Sequence, residues 1–183
     1  MQQALVDLAR RGDEEAFADL ARAVGDRLMA IAYRILRDVD RAEDAVQQAL
    51  VTAWRELPTL RDDDRFDAWL RRILVHACYA EARRRRSWAA NVRVLPTDGP
   101  AGRDDIATVI ERDRLERGFR RLSAEQSAIF VLHHYVGLTL PEVADELGVP
   151  LGTVKSRLHY ATKALRAALD ADARTVTSTE RLA

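Results

Sequence analysis

A group of hydrogen-bonding and cationic side chains near the C-terminus has the chemistry to bind DNA. Apolar residues spaced three and four apart predict a helix from Leu151 to Leu169, and no acidic residue falls between these two positions. Its outward side chains are Thr153, Lys155, Ser156, Arg157, His159, Tyr160 and Lys163. On a helix that enters the major groove, such groups can contact base edges and phosphates.

The residues before this helix predict the turn that would position it. Thr139 and Glu142 have capping-box spacing around Pro141, and Gly148 follows where a left-handed residue commonly ends a helix. Five apolar residues of the second helix are predicted to face inward, namely Val154, Leu158, Ala161, Leu165 and Leu169. The two helices read as a helix-turn-helix, and the alternative is a plain helical hairpin with a solvated basic face.

A second basic surface is predicted on a helix that begins at Phe66. Its predicted inward residues are Phe66, Trp69, Leu70, Ile73, Leu74, Ala77 and Cys78. The opposite side is predicted to carry Arg71, Arg72, Val75, His76, Tyr79 and the run from Arg83 to Arg86. Cations can hold phosphates and aromatic rings can stack on exposed bases, so this side also suits nucleic acid.

Charge is balanced over the chain but divided along it. Lys and Arg total 29, as do Asp and Glu, which argues against a protein that coats nucleic acid through its overall charge. Nine acids lie between Asp38 and Asp67, whereas residues 71–93 contain seven arginines and one acid, Glu81. A helix predicted to start at Asp40 and Glu43 has an acidic and polar outer face, which is either solvated or a docking surface.

Metal and nuclease chemistry are weakly supported. His76 and Cys78 are two residues apart and would point to different sides of a helix, and no Cys or His cluster completes a metal site. Asp62, Asp63 and Asp64 could bind Mg²⁺ in a nuclease, but no general base lies beside them. We expect no metal and no cofactor.

Composition and the positions of Pro and Gly residues predict an all-α chain with two helical domains. A segment rich in Pro, Gly and acids, LPTDGPAGRDDI at 95–106, predicts a flexible linker between domains at 1–94 and 107–172, with a polar tail at 173–183. One cysteine excludes an internal disulfide, and no apolar run approaches the roughly 20 residues of a membrane span. No secretory segment is evident, so we expect a cytoplasmic protein without membrane insertion.

Three segments together resemble the extracytoplasmic function (ECF) sigma factors, the small two-domain members of the sigma-70 family. They are DRAEDAVQQALVTAWREL at 40–57, FDAWLRRILVHACYAEARRRR at 66–86, and RRLSAEQSAIFVLHHYVGLTLPEVADELGVPLGTVKSRL at 120–158. The resemblance implies sigma region 2 before the linker and sigma region 4 after it. It also implies a dissociable, non-catalytic subunit that directs core RNA polymerase to promoters.

The resemblance also implies roles for particular residues. The surface that binds the core polymerase clamp helices would comprise Asp40, Glu43, Asp44, Gln47 and Gln48. The minus 10 element would meet Arg72, His76, Tyr79 and Arg83, and the loop holding a flipped base would contain Leu60, Asp62, Asp63, Asp64 and Arg65. The minus 35 element would meet Thr153, Lys155, Ser156, His159 and Tyr160, with Arg157 on phosphate.

Further partners follow from the same resemblance, namely the flap of core polymerase and an anti-sigma factor. Some positions depart from the family pattern, because His76 stands where Asn is usual and Pro150 replaces the usual side-chain cap of the recognition helix. The alternative function is a free-standing helix-turn-helix repressor or activator, which would bind a duplex site tightly without polymerase.

Overall fold

The computed structural model describes residues 2–91 and 116–180, which form α-helices and two short 3-10 turns without any strand. The all-α prediction is therefore confirmed. The helices are α1 Gln2–Arg10, α2 Glu14–Leu36, α3 Val39–Glu56, α4 Phe66–Asn91, α5 Ala124–His134, α6 Leu140–Leu147 and α7 Leu151–Glu180. The 3-10 turns are Leu57–Thr59 and Asp63–Arg65. The predicted linker at 95–106 lies outside the described residues, as does the predicted start of the second domain.

The N-terminal unit, residues 2–91, is built on side-chain caps and a stripe of alanines. Asp13 caps α2, which continues through Gly25 without a break. Asp38 caps α3, so this helix starts earlier than the predicted Asp40. The α3 alanines are fully buried at Ala42, Ala45, Ala49 and Ala53. Their small side chains let α2 and α4 pack close to α3, which leaves its other side to solvent.

In the C-terminal unit, residues 116–180, capping residues mark where the helices begin and end. Ser123 and Gln126 form a capping box at the start of α5, as Thr139 and Glu142 do at the start of α6. Gly148 ends α6 in the left-handed conformation, with φ of 65°. These local contacts confirm the predicted helix-turn-helix.

The basic helix α7 differs from its prediction at its far end. Val154, Ala161 and Leu165 are buried as predicted, but Leu169 is 37% exposed. The helix extends to Glu180, into the predicted polar tail at 173–183. No Gly or Pro occurs after Gly152 to stop it.

The two units pack against each other and share one continuous apolar core. Leu28, Leu74, Ile129 and Val154 belong to the same cluster of buried residues although they come from both units. This close packing is not visible in the helical periodicity of either unit.

Candidate nucleic-acid and protein interfaces

The outer side of α3 is an uninterrupted polar surface. Asp40, Glu43, Asp44, Gln47 and Gln48 are all exposed, because the alanines on the opposite side of α3 hold that side in the core. We call these five residues the acidic face. Sequence reasoning grouped them correctly on one side, and their role is a separate question.

Three residues outside the predicted clamp-binding set border the acidic face. Val51 continues it by one turn and is 40% exposed, and Glu81 and Arg84 of α4 line the same shallow depression. Glu81 forms an ion pair with Arg84, and its backbone carbonyl accepts a hydrogen bond from Arg41 at 2.8 Å. The spacing of Val51 from Gln47 and Gln48 was a usable signal, whereas contacts from α4 to α3 leave no local pattern in the sequence.

The predicted basic surface of α4 is only partly open. Arg72 and His76 are exposed one turn apart, and Arg83 is exposed two turns further along α4. Partial burial and the neighbouring cations Arg72 and Arg83 lower the pKa of His76. His76 is therefore neutral at pH 7 and available for hydrogen bonding rather than for charge pairing.

Three α4 residues predicted to face outward are instead covered, and the first is Arg71, whose side chain is 12% exposed. Val75 is fully buried, and the hydroxyl of Tyr79 is buried without a hydrogen-bond partner among the described residues. Burial raises the pKa of Tyr79, and the charge of Glu125 raises it further while that of Arg157 opposes the rise. The prediction of an open side was wrong at these three positions because the C-terminal unit packs onto this part of α4.

The segment between α3 and α4, residues 57–65, is folded more tightly than the predicted loop. We call it the acidic loop. Leu60 is 8% exposed, so its side chain joins the core instead of standing on the loop surface. Asp62 caps the second 3-10 turn by accepting from the backbone N–H of Asp64 at 3.1 Å. Asp62, Asp64 and Arg65 are exposed, and Asp63 is half-buried.

The outward side of α7 largely matches its predicted exposure. Lys155, Ser156, His159 and Tyr160 are exposed, with Tyr160 at 60%. Thr153 and Arg157 are half-buried at the edge of this surface. The hydroxyl of Ser156 donates to the carbonyl of Thr153 at 3.0 Å, which still leaves its oxygen able to accept.

A buried ion pair joins the two units. Arg71 of α4 donates to Glu146 of α6 from Nε at 3.0 Å and from Nη2 at 2.8 Å. The two side chains are only 12% and 6% exposed. Next to this pair, Arg72 Nη2 lies 3.5 Å from where a Cβ at Gly148 would stand. The predicted DNA-binding helix α4 is thus in direct contact with the helix-turn-helix.

A second polar contact lies at the end of α2. Tyr33 donates to Glu116 at 3.3 Å, and Arg37 lies 3.5 Å from the same carboxylate oxygen. The guanidinium of Arg37 also stacks 3.8 Å from the ring centroid of Phe119. Arg37 adopts the left-handed conformation, with φ of 54°, at the C-terminal cap of α2. The two units therefore meet through an ion pair at each of two separate places, and at the second place also through a cation–aromatic contact.

Family comparisons agree with this architecture. Residues 20–88 match the family Sigma-70 region 2, and residues 112–165 match the family Sigma-70, region 4. The chain therefore belongs to the sigma-70 family. The first match contains the acidic face, the acidic loop and most of α4, and the second contains the helix-turn-helix.

Relatives define the group within the family. The chain is 33% identical over 165 residues to the ECF RNA polymerase sigma factor SigL of Mycobacterium tuberculosis, with 86% of this chain and 93% of SigL covered. It is 27% identical over 169 residues to the ECF RNA polymerase sigma factor SigW of Bacillus subtilis, with 86% and 90% covered. These relationships assign the RNA polymerase sigma factor function, which is promoter-directed initiation of transcription.

Solved structures give the same result. The sigma factor RpoE of Bartonella quintana, crystallised with the anti-sigma factor NepR, has a TM-score of 0.68 and 26% identity, with 85% of this chain and 98% of that chain covered. CnrH, solved in complex with the cytosolic domain of CnrY, has a TM-score of 0.64 and 28% identity, with 93% and 98% covered.

Proposed function

We propose that the acidic face is the surface by which this sigma factor binds the clamp helices of core RNA polymerase. The observation that carries this proposal is the exposure of all five residues beside Val51, an apolar side chain that is itself 40% exposed. Carboxylates give electrostatic steering, and an apolar residue at the edge of such a surface supplies contact area that water would otherwise cover.

Charge reversal tests this assignment. A variant with Glu43→Lys and Asp44→Lys should bind core polymerase at least tenfold more weakly, because two attractive contacts become repulsive. A matched control carries Glu15→Lys and Asp26→Lys, which makes the same change of charge at exposed positions of α2. Equal affinity of both variants and the parent chain in a titration with labelled core enzyme would contradict the proposal.

We propose further that the two units divide promoter recognition as sigma regions 2 and 4, with boundaries at 1–94 and 107–172. The minus 10 surface comprises Arg72, His76, Tyr79 and Arg83 of α4, together with Leu60 and Asp62 to Arg65 of the acidic loop. The minus 35 surface comprises Thr153, Lys155, Ser156, Arg157, His159 and Tyr160 of α7. Tyr79 is covered in this arrangement, so its contact with a base requires the units to separate.

The α7 assignment makes a graded prediction about DNA binding. A base-edge contact is worth about 1 to 3 kcal/mol of discrimination, whereas a phosphate contact weakens binding to all sequences alike and changes its salt dependence. Lys155→Ala and His159→Ala should therefore relax the choice of bases in a library selection with the holoenzyme. Arg157→Ala should lower affinity without relaxing that choice.

The remaining proposals concern partners and location. Sigma factors are non-catalytic initiation factors, and we propose that this chain likewise has no enzymatic activity and works in the cytoplasm with the polymerase, whose flap meets region 4. We also propose an anti-sigma partner, by analogy with NepR on the Bartonella quintana protein. In the part of the chain that the structure describes, no helix is long and apolar enough to cross a membrane.

The rival proposal is a free-standing repressor or activator. It is less well supported because two sigma regions match in order, and a simple repressor would not need the first. Purified protein separates the two. A sigma factor directs transcription only with core enzyme, whereas a repressor binds a duplex site tightly by itself.

A further inference from the structure

The first helix lies directly against the acidic loop. Val6 and Ala9 of α1 are buried in the core, at 1% and 2% exposure, which fixes the helix on the N-terminal unit. Its polar side carries Gln3 and Arg10, and both side chains contact the loop. The helix thus brings a cation to a segment that has three consecutive carboxylates.

Arg10 binds both the backbone and a side chain of the acidic loop. Its Nη1 donates to the carbonyl of Leu60 at 3.2 Å and lies 3.1 Å from Oδ1 of Asp63. Its Nη2 donates to Asp7 at 3.0 Å. Asp7 lies one turn earlier in α1 and also pairs with Arg11 at 2.7 Å. The guanidinium of Arg10 is therefore bound to its own helix as well as to the loop.

The three carboxylates of the loop have different partners. Asp63 pairs with Arg10, Asp64 accepts from the side-chain amide of Gln3, and Asp62 accepts from a backbone N–H within the loop. Without these partners the carboxylates would repel each other and any nearby phosphate. Arg10 therefore fixes the path of the loop and reduces the negative charge that DNA meets there.

We propose that Arg10 is a positioning residue for capture of an unpaired promoter base by the acidic loop, an inference that rests on the role proposed for that loop above. Asp63 and Asp64 act by holding the loop on α1, and the exposed side chains of Asp62 and Arg65 face the base. The pocket is then preorganised, so unstacking a base is not accompanied by a further loss of loop entropy.

The test uses the holoenzyme and a forked minus 10 DNA obtained by library selection with that holoenzyme. Each unpaired non-template position is replaced in turn by an abasic residue, and Kd is measured for the parent, Arg10→Gln, Arg10→Lys and Arg11→Gln. Arg11 is the matched control because it pairs with the same Asp7, is 72% exposed and makes no contact with the loop among the described residues.

We expect Arg10→Gln to weaken binding about tenfold when the captured base is present, since a charge-assisted contact is lost. The loss should disappear on the abasic fork at that one position. Arg10→Lys should recover part of the affinity, because it retains the charge but not both contacts, and Arg11→Gln should bind as the parent does.

Two outcomes would overturn the proposal, and they are distinguishable. If Arg10→Gln weakens binding equally on intact and abasic forks, or not at all while the parent discriminates between them, Arg10 has no part in base capture. If the parent binds every abasic fork as well as the intact one, the role proposed for the loop itself is wrong. Thermal unfolding of each variant shows whether a loss of binding reflects loss of fold.

Discussion

Replacing Glu146 by glutamine should weaken the packing of the two units against each other. In the packed arrangement Glu146 neutralises Arg71 through two hydrogen bonds, and both side chains are largely excluded from water. When the units separate, Arg71 is solvated whether its former partner is Glu or Gln. The substitution therefore destabilises the closed form, in which the two units are packed together, and leaves the open form, in which they are separated, nearly unchanged.

The size of the effect follows from the burial of the pair. Removing one partner of a buried ion pair costs about 3 to 5 kcal/mol, and the loss is smaller when one hydrogen bond survives. Glutamine keeps one acceptor for Arg71, so we expect about 2 to 3 kcal/mol. Since about 1.4 kcal/mol is tenfold in an equilibrium, the closed-to-open ratio should fall by about 30- to 150-fold.

Single-molecule energy transfer measures this ratio directly. Dyes can be attached at Ala18→Cys on α2 and Ala167→Cys on α7, both of which are exposed positions. The natural Cys78 will not compete for dye, because burial raises the pKa of its thiol to about 12. Asp145→Asn removes a charge from an exposed neighbour on the same helix and serves as the control.

The expected pattern includes a rescue. Glu146→Gln and Arg71→Gln should each populate a low-transfer state, Asp145→Asn should not, and the exchanged pair Arg71→Glu with Glu146→Arg should restore high transfer. If both single variants gave the parent distribution, the Arg71 and Glu146 ion pair would contribute little to holding the units together, and the reasoning from its burial would be refuted.

Three further predictions concern stability and reactivity. Ser123→Ala should lower the free energy of unfolding by about 1 kcal/mol through loss of the α5 cap, measured by chemical denaturation with Ser127→Ala as a buried comparison. Hydrogen bonds from Thr139 lower the pKa of Glu142 in the folded state. The contribution of Glu142 to the free energy of unfolding is therefore present above the pKa of the unfolded state and is lost as pH falls through the pKa of the folded state. Glu142→Gln should make the free energy of unfolding depend less on pH in this acidic range. Cys78 should resist iodoacetamide at pH 8 in the native protein and react on unfolding, as read by mass spectrometry; rapid native labelling would contradict its burial.

The sequence predicts best those features that depend on neighbours within a few positions. The capping box of α6 and the left-handed Gly148 were predicted because the bonds join residues three or four apart. The buried alanine stripe of α3 follows from helical periodicity in the same way. Helix-turn-helix geometry is a sum of such local signals, which is why it could be predicted without any knowledge of packing.

Features that depend on distant partners were missed. Val75 and Tyr79 have the helical phase of an outward surface, and only contact with the C-terminal unit buries them. Arg10 lies 50 residues before the carbonyl it binds, so neither its own helix nor the loop indicates the pairing. The run of Asp62, Asp63 and Asp64 likewise contains no indication in the sequence that each carboxylate has its own partner.

Covering of Tyr79 has a physical consequence for the order of events at a promoter. The exposed cations Arg72 and Arg83 can meet phosphates while the units remain packed, but Tyr79 cannot reach a base. Among the described residues, the buried hydroxyl of Tyr79 has no hydrogen-bond partner. An unpaired buried hydroxyl costs free energy, and separation of the units removes this cost. Electrostatic encounter should therefore come before separation of the units, and base contacts should follow it. Weakening the Arg71 and Glu146 pair would then speed the later step and leave the salt-dependent encounter unchanged.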